Sequence, residues 1–151
     1  MFDDNLIKEF REWKEVNKDN FTWWSYVNMK ADLPTALGFA KFFNPTIIEI
    51  NDCYFLKDNF FSMEKYEEWK AECGNDKTCL EKMMNLYQLR DFFHINGYDE
   101  DDEYELLRIL GEVLQYFWSL KLKQQYPDKK FIVSVFEDFD DLFITVYQER
   151  D

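Results

Sequence analysis

Cys53, Cys73, Cys79 and the lone histidine, His94, are the residues of this chain best suited to nucleophilic or metal chemistry. A thiolate beside an imidazole makes a nucleophile, and three thiolates with one imidazole make a tetrahedral zinc set. The spacing argues against both. No CxxC pair is present, the intervals match no finger or ribbon, and nothing around His94 marks an activated thiol. Reduced, partly buried cysteines and a half-buried structural histidine are expected instead, although Cys73 and Cys79 lie close enough across a helix–helix turn for a disulfide. Ser25, Ser62, Ser119 and Ser134 stand in no G-x-S-x-G context, and Gly38, Gly74, Gly97 and Gly111 are too scattered to cradle phosphate. With 31 acidic residues some carboxylate pair always falls at glycosidase spacing, so pairs alone carry no information. The sequence therefore assigns no catalytic residue, metal or cofactor.

Carboxylates offer a different chemistry, the capture of cations. The chain carries 31 Asp and Glu against 18 Lys and Arg, a net charge of −13, yet 20% of its residues are aromatic. Acidic disordered chains lack aromatics, so this acidity belongs on a folded surface. Two concentrations stand out. The run Asp99-Glu100-Asp101-Asp102-Glu103 lacks the glycine that a calcium loop needs at its sharp turn, and the dipole at the start of a long helix accounts for it. Glu137, Asp138, Asp140 and Asp141, with Phe139 among them, exceed what a hairpin turn requires. These five residues are the favoured partner-binding surface, Phe139 serving as apolar anchor, and Asp99, Asp101 and Asp102 form a separate, less favoured patch.

The elements that would position these groups are legible from periodicity. Leu6, Ile7, Phe10 and Trp13 predict a first helix over 5–16. The stretch 21–27 is dense in aromatics, fits neither period, and reads as core more than as a binding platform. Asp32 and Pro34 start a helix with Ala36, Leu37, Ala40 and Phe43 as its apolar stripe, and Asn44-Pro45 stops it. A hairpin over about 46–57 turns at Asn51-Asp52. Ser62 caps the next helix and Gly74 ends it. Asp76 or Thr78 opens a helix with Cys79, Met83, Leu86 and Phe93 on one side, expected to end near Asn96-Gly97. Leu106, Leu107, Ile109, Leu110, Val113, Leu114, Phe117 and Trp118 cover more than half of a central helix over 103–124, and truncation of Leu110 or Phe117 is expected to cost roughly 2–5 kcal/mol. A second hairpin occupies about 130–149. The expected fold is one α+β domain over 1–151, an antiparallel sheet from two hairpins packed with about five helices.

From Ala36 through Asn44-Pro45 to Leu56 the chain resembles a segment of small uncharacterised bacterial proteins, in which an alanine-rich helix ends at an aromatic-x-proline and a hairpin follows. That family turns through Asp-Gly where this chain has Asn51-Asp52. The resemblance implies a fold and no activity. In size and acidity the chain is also similar to immunity proteins of bacterial toxin systems.

The functional expectation is an acidic, non-enzymatic binding protein that neutralises a basic protein, a nuclease-type toxin or another nucleic-acid-handling enzyme. A phage-encoded nucleic-acid mimic is the close variant. The rival is a small enzyme or ligand-binding protein with a pocket between helices and sheet. An anionic surface excludes direct binding of nucleic acid and anionic membranes. No apolar run approaches the roughly 18 residues of a membrane span, and Met1-Phe2-Asp3-Asp4-Asn5 is acidic where a secretory leader is basic. A cytoplasmic protein is expected.

Overall fold

The hairpins follow from their turns. Asn51 and Asp52 (φ 53° and 59°) and Phe139 and Asp140 (φ 47° and 60°) all take the left-handed conformation of a two-residue type I′ turn. A computed structural model describes residues 1–93 and 100–151. Among these, six α-helices form: α1 (Lys8–Val16), α2 (Trp23–Lys30), α3 (Leu33–Phe43), α4 (Met63–Glu72), α5 (Lys77–Met84) and α6 (Glu100–Gln125). Five strands accompany them: β1 (Ile47–Ile50), β2 (Cys53–Leu56), β3 (Tyr87–Gln88), β4 (Phe131–Asp138) and β5 (Asp141–Gln148). Bonds from Lys57 N to Thr46 O and from Glu149 N to Lys130 O add one pair to each hairpin, so 46–57 and 130–149 pair as expected. The class is α+β. The hairpins nevertheless do not share one sheet: β1–β2 stand alone, while β3 joins the other pair in the order β3-β5-β4.

The chain forms two compact units, Met1–Phe42 and Phe43–Asp151. In the second, the caps fall where local chemistry puts them. Ser62 Oγ accepts from Lys65 N at 3.1 Å, Gly74 takes φ 59° at the end of α4, and Asp76 Oδ1 accepts from Thr78 N and Cys79 N. This turn brings Cys73 and Cys79 to a Cα separation of 5.7 Å, and they are joined in a disulfide rather than reduced. A loop this short restricts the unfolded chain modestly, so Cys73→Ser with Cys79→Ser is expected to lower unfolding free energy by about 2 kcal/mol. Urea titration of oxidised protein against the double variant measures it; equal midpoints would mean that the bond contributes nothing.

The helix expected to run from residue 78 toward Asn96 stops at Met84 instead. Its last residues are captured by both sheets. Asn85, fully buried, accepts from Leu56 N and donates to Tyr54 O and Val146 O, each at 2.8 Å. One turn earlier the fully buried Glu81 accepts from Tyr54 N at 2.9 Å and Gln148 N at 2.7 Å. It also receives both terminal nitrogens of Arg150, at 2.8 and 2.9 Å. Residues 81 and 85 share one helix face. From it their side chains tie β2 to β5, two strands that do not pair with each other. Asn59 braces the exit of α5, donating to Met84 O and Leu86 O.

Cys53, Phe55, Tyr66, Leu80 and Met84 form a core between the first hairpin, α4 and α5. The long helix α6 buries Leu107, Ile109, Val113, Leu114, Trp118 and Leu122, with Val133, Leu142, Ile144 and Val146 buried on the strands it packs against. Gly111 permits that approach: a Cβ there would meet Val135 Cγ1 at 2.9 Å and Leu89 Cδ1 at 3.0 Å. The apolar coat of α6 extends beyond its buried face, however. Phe117 remains 37% exposed, edging against Phe43, and Leu110 is only partly buried. The large truncation costs expected at those two positions belong to Leu114 and Trp118.

In the first unit a 3₁₀ turn, Asp4–Leu6, precedes α1, so the α-helix begins later than its periodicity predicts. Its core is aromatic. Phe10 stacks on Trp23 (centroids 3.7 Å apart, planes 6°), Phe21 packs against Phe10, and Tyr26 packs against both stacked rings. The aromatic stretch, assigned to no period, is thus largely a helix, α2, opened by Ser25 Oγ accepting from Thr22 N. Asp32 caps α3, accepting from Thr35 N at 2.8 Å, and that bond holds its carboxyl below the ordinary value. Phe39, Phe42 and Phe43 are the partly covered residues of α3, whereas Ala36, Leu37 and Ala40 of the expected stripe are exposed.

Candidate functional site

Phe139 sits at the end of the β4–β5 ladder, which runs through eight pairs from Phe131↔Gln148 to Asp138↔Asp141. A type I′ turn favours Asn, Asp or Gly at both central positions, because a bulky L-residue with positive φ brings its Cβ against the carbonyl oxygen. The first hairpin obeys with Asn51-Asp52. The second places a phenylalanine there, 94% exposed. Folding gains no burial from this ring, and its backbone is strained by about 1–2 kcal/mol. Exposed Asp138 and Asp140 flank it on either side, and Glu137 is exposed one residue earlier.

The base of the tip is braced. Asp141 is turned inward, with 18% of its side chain exposed. Gln88 Nε2 donates to its Oδ2 at 2.5 Å, Arg90 Nε at 3.2 Å, and Leu142 N to its Oδ1 at 2.9 Å. Burial works against the charged form of Asp141, but these three donors outweigh it and hold the carboxyl below its ordinary value. Arg90 also pairs with Glu103 of α6. Tyr104 donates its hydroxyl to Glu137 at 2.5 Å, a bond that raises the phenol's pKa.

The two acidic stretches are read as separate surfaces in the sequence, yet Glu103, in the described end of the first, is joined through Arg90 to Asp141 at the base of the second. Exposed Asp102 lies beside Glu103 and Tyr104 in the first turns of α6, and Asp101 precedes it. Asp99 and His94 lie outside the described residues. Of the five favoured residues, Asp138, Phe139 and Asp140 form the free tip, Glu137 is bonded at its shoulder, and Asp141 serves the brace. Gln88, Arg90 and Tyr104 were not singled out by sequence reading. The helical stripe of the sequence runs through Arg90, which the fold instead holds in a 3₁₀ turn, and Tyr104 carries no local sign of its partner 33 residues away.

At the open end of the same hairpin, positive charge is consumed internally. Arg150 is bound by Glu81, Lys130 by Glu149, and Lys77 and Lys129 both by Asp52, at 3.2 Å each. The hydrogen bond from Lys129, then that from Lys77, holds the Asp52 carboxyl below its ordinary value. Charge is thus segregated along the hairpin, neutralised at one end and acidic at the other.

The thiol readings end differently. Cys73 and Cys79 are bonded to one another, and Cys53 is buried with its thiol pKa pushed up, first by burial and then by Glu81. Such a thiol is a poor nucleophile at neutral pH. Among the described residues no three His, Cys, Asp or Glu side chains converge as a metal site, and no helix is long and apolar enough to cross a membrane. No protein-family model, curated protein or solved structure matches this chain.

Proposed function

We propose that the chain is an acidic binding protein that neutralises a basic protein, most specifically an immunity protein against a nuclease-type toxin, and that the Glu137–Asp140 tip enters the partner's cationic cleft. The supporting observation is Phe139. A strained, exposed ring where the turn calls for Asn or Gly is explained by a surface contact, not by folding. Carboxylates on both sides of the ring suit an apolar pocket rimmed by Lys and Arg. A site that holds phosphates has such a rim, and opposite fields speed encounter by orders of magnitude.

A panel of purified cationic nuclease domains, read by biolayer interferometry and by inhibition of cleavage, tests this reading. Binding of at least one member is expected, with association falling steeply as salt rises. Asp138→Lys with Asp140→Asn should slow association about tenfold or more at low salt while leaving the melting curve intact, because neither carboxylate braces the fold and asparagine suits the left-handed turn position. Asp141 is unsuited to this purpose, since its loss frees Arg90. Phe139→Gly should do two opposite things: stabilise the fold by up to about 1 kcal/mol through relief of the left-handed strain, and weaken binding. Failure of every nuclease to bind, or binding indifferent to both variants, would overturn the proposal.

A further inference from the structure

Trp23 and Trp24 are neighbours with opposite fates. Trp23 stacks on Phe10 and donates its indole N–H to Asp4 at 2.8 Å, whereas Trp24 is 83% exposed. Its ring lines a cleft of about 650 Å³ between α1 and α2, within the range of small-ligand sites. The eight lining residues include Trp13, Asn17, Asn20, Asn28 and Met29, and none is charged. Charged residues are 32% of this sequence, so a lining without one sets the cleft apart from the surrounding surface. Lys30, over the Trp13 ring, is already paired with Glu9 at 2.9 Å, and Lys18 in the Asn17–Asn20 turn is followed directly by Asp19.

These groups specify a ligand chemistry. An indole face covers apolar C–H groups. A carboxamide presents donors and an acceptor side by side, which matches a pair of neighbouring hydroxyls. Three such amides around an exposed indole, without a counter-charge, fit a neutral ligand having one apolar face and a rim of hydroxyls. Asn17 is already oriented, its Nδ2 donating to Trp13 O at 3.0 Å, so part of the site is set before a ligand arrives. A nucleotide would bring phosphate charges to a lining that supplies no cation. We infer that the α1–α2 cleft binds a neutral saccharide, with a pyranose ring laid on Trp24 and its hydroxyls paired with the side chains of Asn17, Asn20 and Asn28.

The test is a titration of the ¹⁵N-labelled full chain with neutral oligomers of glucose, mannose and N-acetylglucosamine, followed through the Trp24 indole N–H and the asparagine side-chain amides. An oligogalacturonate and a proline-rich peptide serve as competitors. One neutral sugar is expected to shift these resonances saturably, and Trp24→Ala to weaken it about tenfold or more, in line with the loss of one stacked ring. The exposure of Trp24 predicts an unchanged melting temperature for that variant. Asn28→Ala, also at an exposed position, provides a second reading of the site. No shift with any neutral sugar, a shift that survives both substitutions, or preference for the acidic sugar or the peptide would overturn the assignment.

Discussion

Replacing Glu81 with alanine is expected to lower the unfolding free energy by about 3–5 kcal/mol, a large part of the total for a domain of this size. The carboxylate is wholly buried and accepts four hydrogen bonds, from Tyr54 N, Gln148 N and the two terminal nitrogens of Arg150. Arg150 keeps about a fifth of its side chain in solvent, so water softens its loss of a partner. The two strand amides have less recourse, and each buried N–H left unpaired costs about 1–3 kcal/mol. That difference decides a second experiment. Exchanging a buried ion pair for apolar residues is often neutral or stabilising. Here Glu81→Leu with Arg150→Met should stay well below wild type, because the backbone amides remain orphaned. Guanidinium titrations of the three proteins measure this; full recovery in the double variant would show that the carboxylate serves Arg150 alone.

Asn85→Leu is expected to be about as damaging, roughly 3–5 kcal/mol, since it strips one acceptor and two donors from a fully buried position while keeping the branched side-chain skeleton. Asn85→Asp separates the roles. It keeps the acceptor for Leu56 N but aims a carboxylate at the carbonyls of Tyr54 and Val146. Only the protonated acid can donate to either, so its pKa in the folded protein should rise above the unfolded value of about 3.9. Between those two values the folded state holds the extra proton, and stability should fall as pH rises through the window. Thermal melts of Asn85→Asp across pH 4–7 should therefore decline relative to wild type, and a flat difference would place the side chain in water rather than between the strands.

What was legible in the sequence was local. Ser62, Asp76 and Asp32 bond amides two or three residues away, and Asn51-Asp52 is competent for its turn by itself. The hairpins and the long helix followed from patterns complete within each segment. The end of α5 was not legible, because Cys79, Met83, Leu86 and Phe93 continue a helical stripe while the decision belongs to Asn85, whose partners lie 29, 31 and 61 residues away. Glu81 was lost among 31 acids, distinguished only by the strands that reach it. At the candidate site, the excess of acids and the projecting Phe139 could be read directly. The inward turn of Asp141 could not, nor could the link between the two acidic stretches, since both depend on Gln88, Arg90 and Tyr104 arriving from elsewhere in the chain.

The bonds that α5 makes to β2 and β5 bear on how copies of this protein treat one another. Tyr54, Leu56, Val146 and Gln148 turn backbone donors and acceptors toward α5, not toward another strand. Left open, such groups are a template on which a second chain can add a strand. Two side chains occupy the template here, and one disulfide secures the front of the helix that carries them. Variants that lift α5 should accordingly lose monomers to fibrillar assembly at temperatures below their own melting point. The repulsion of thirteen net negative charges guards against encounters at a distance, but salt screens it. Glu81 and Asn85 guard the strands at contact, where salt has no purchase.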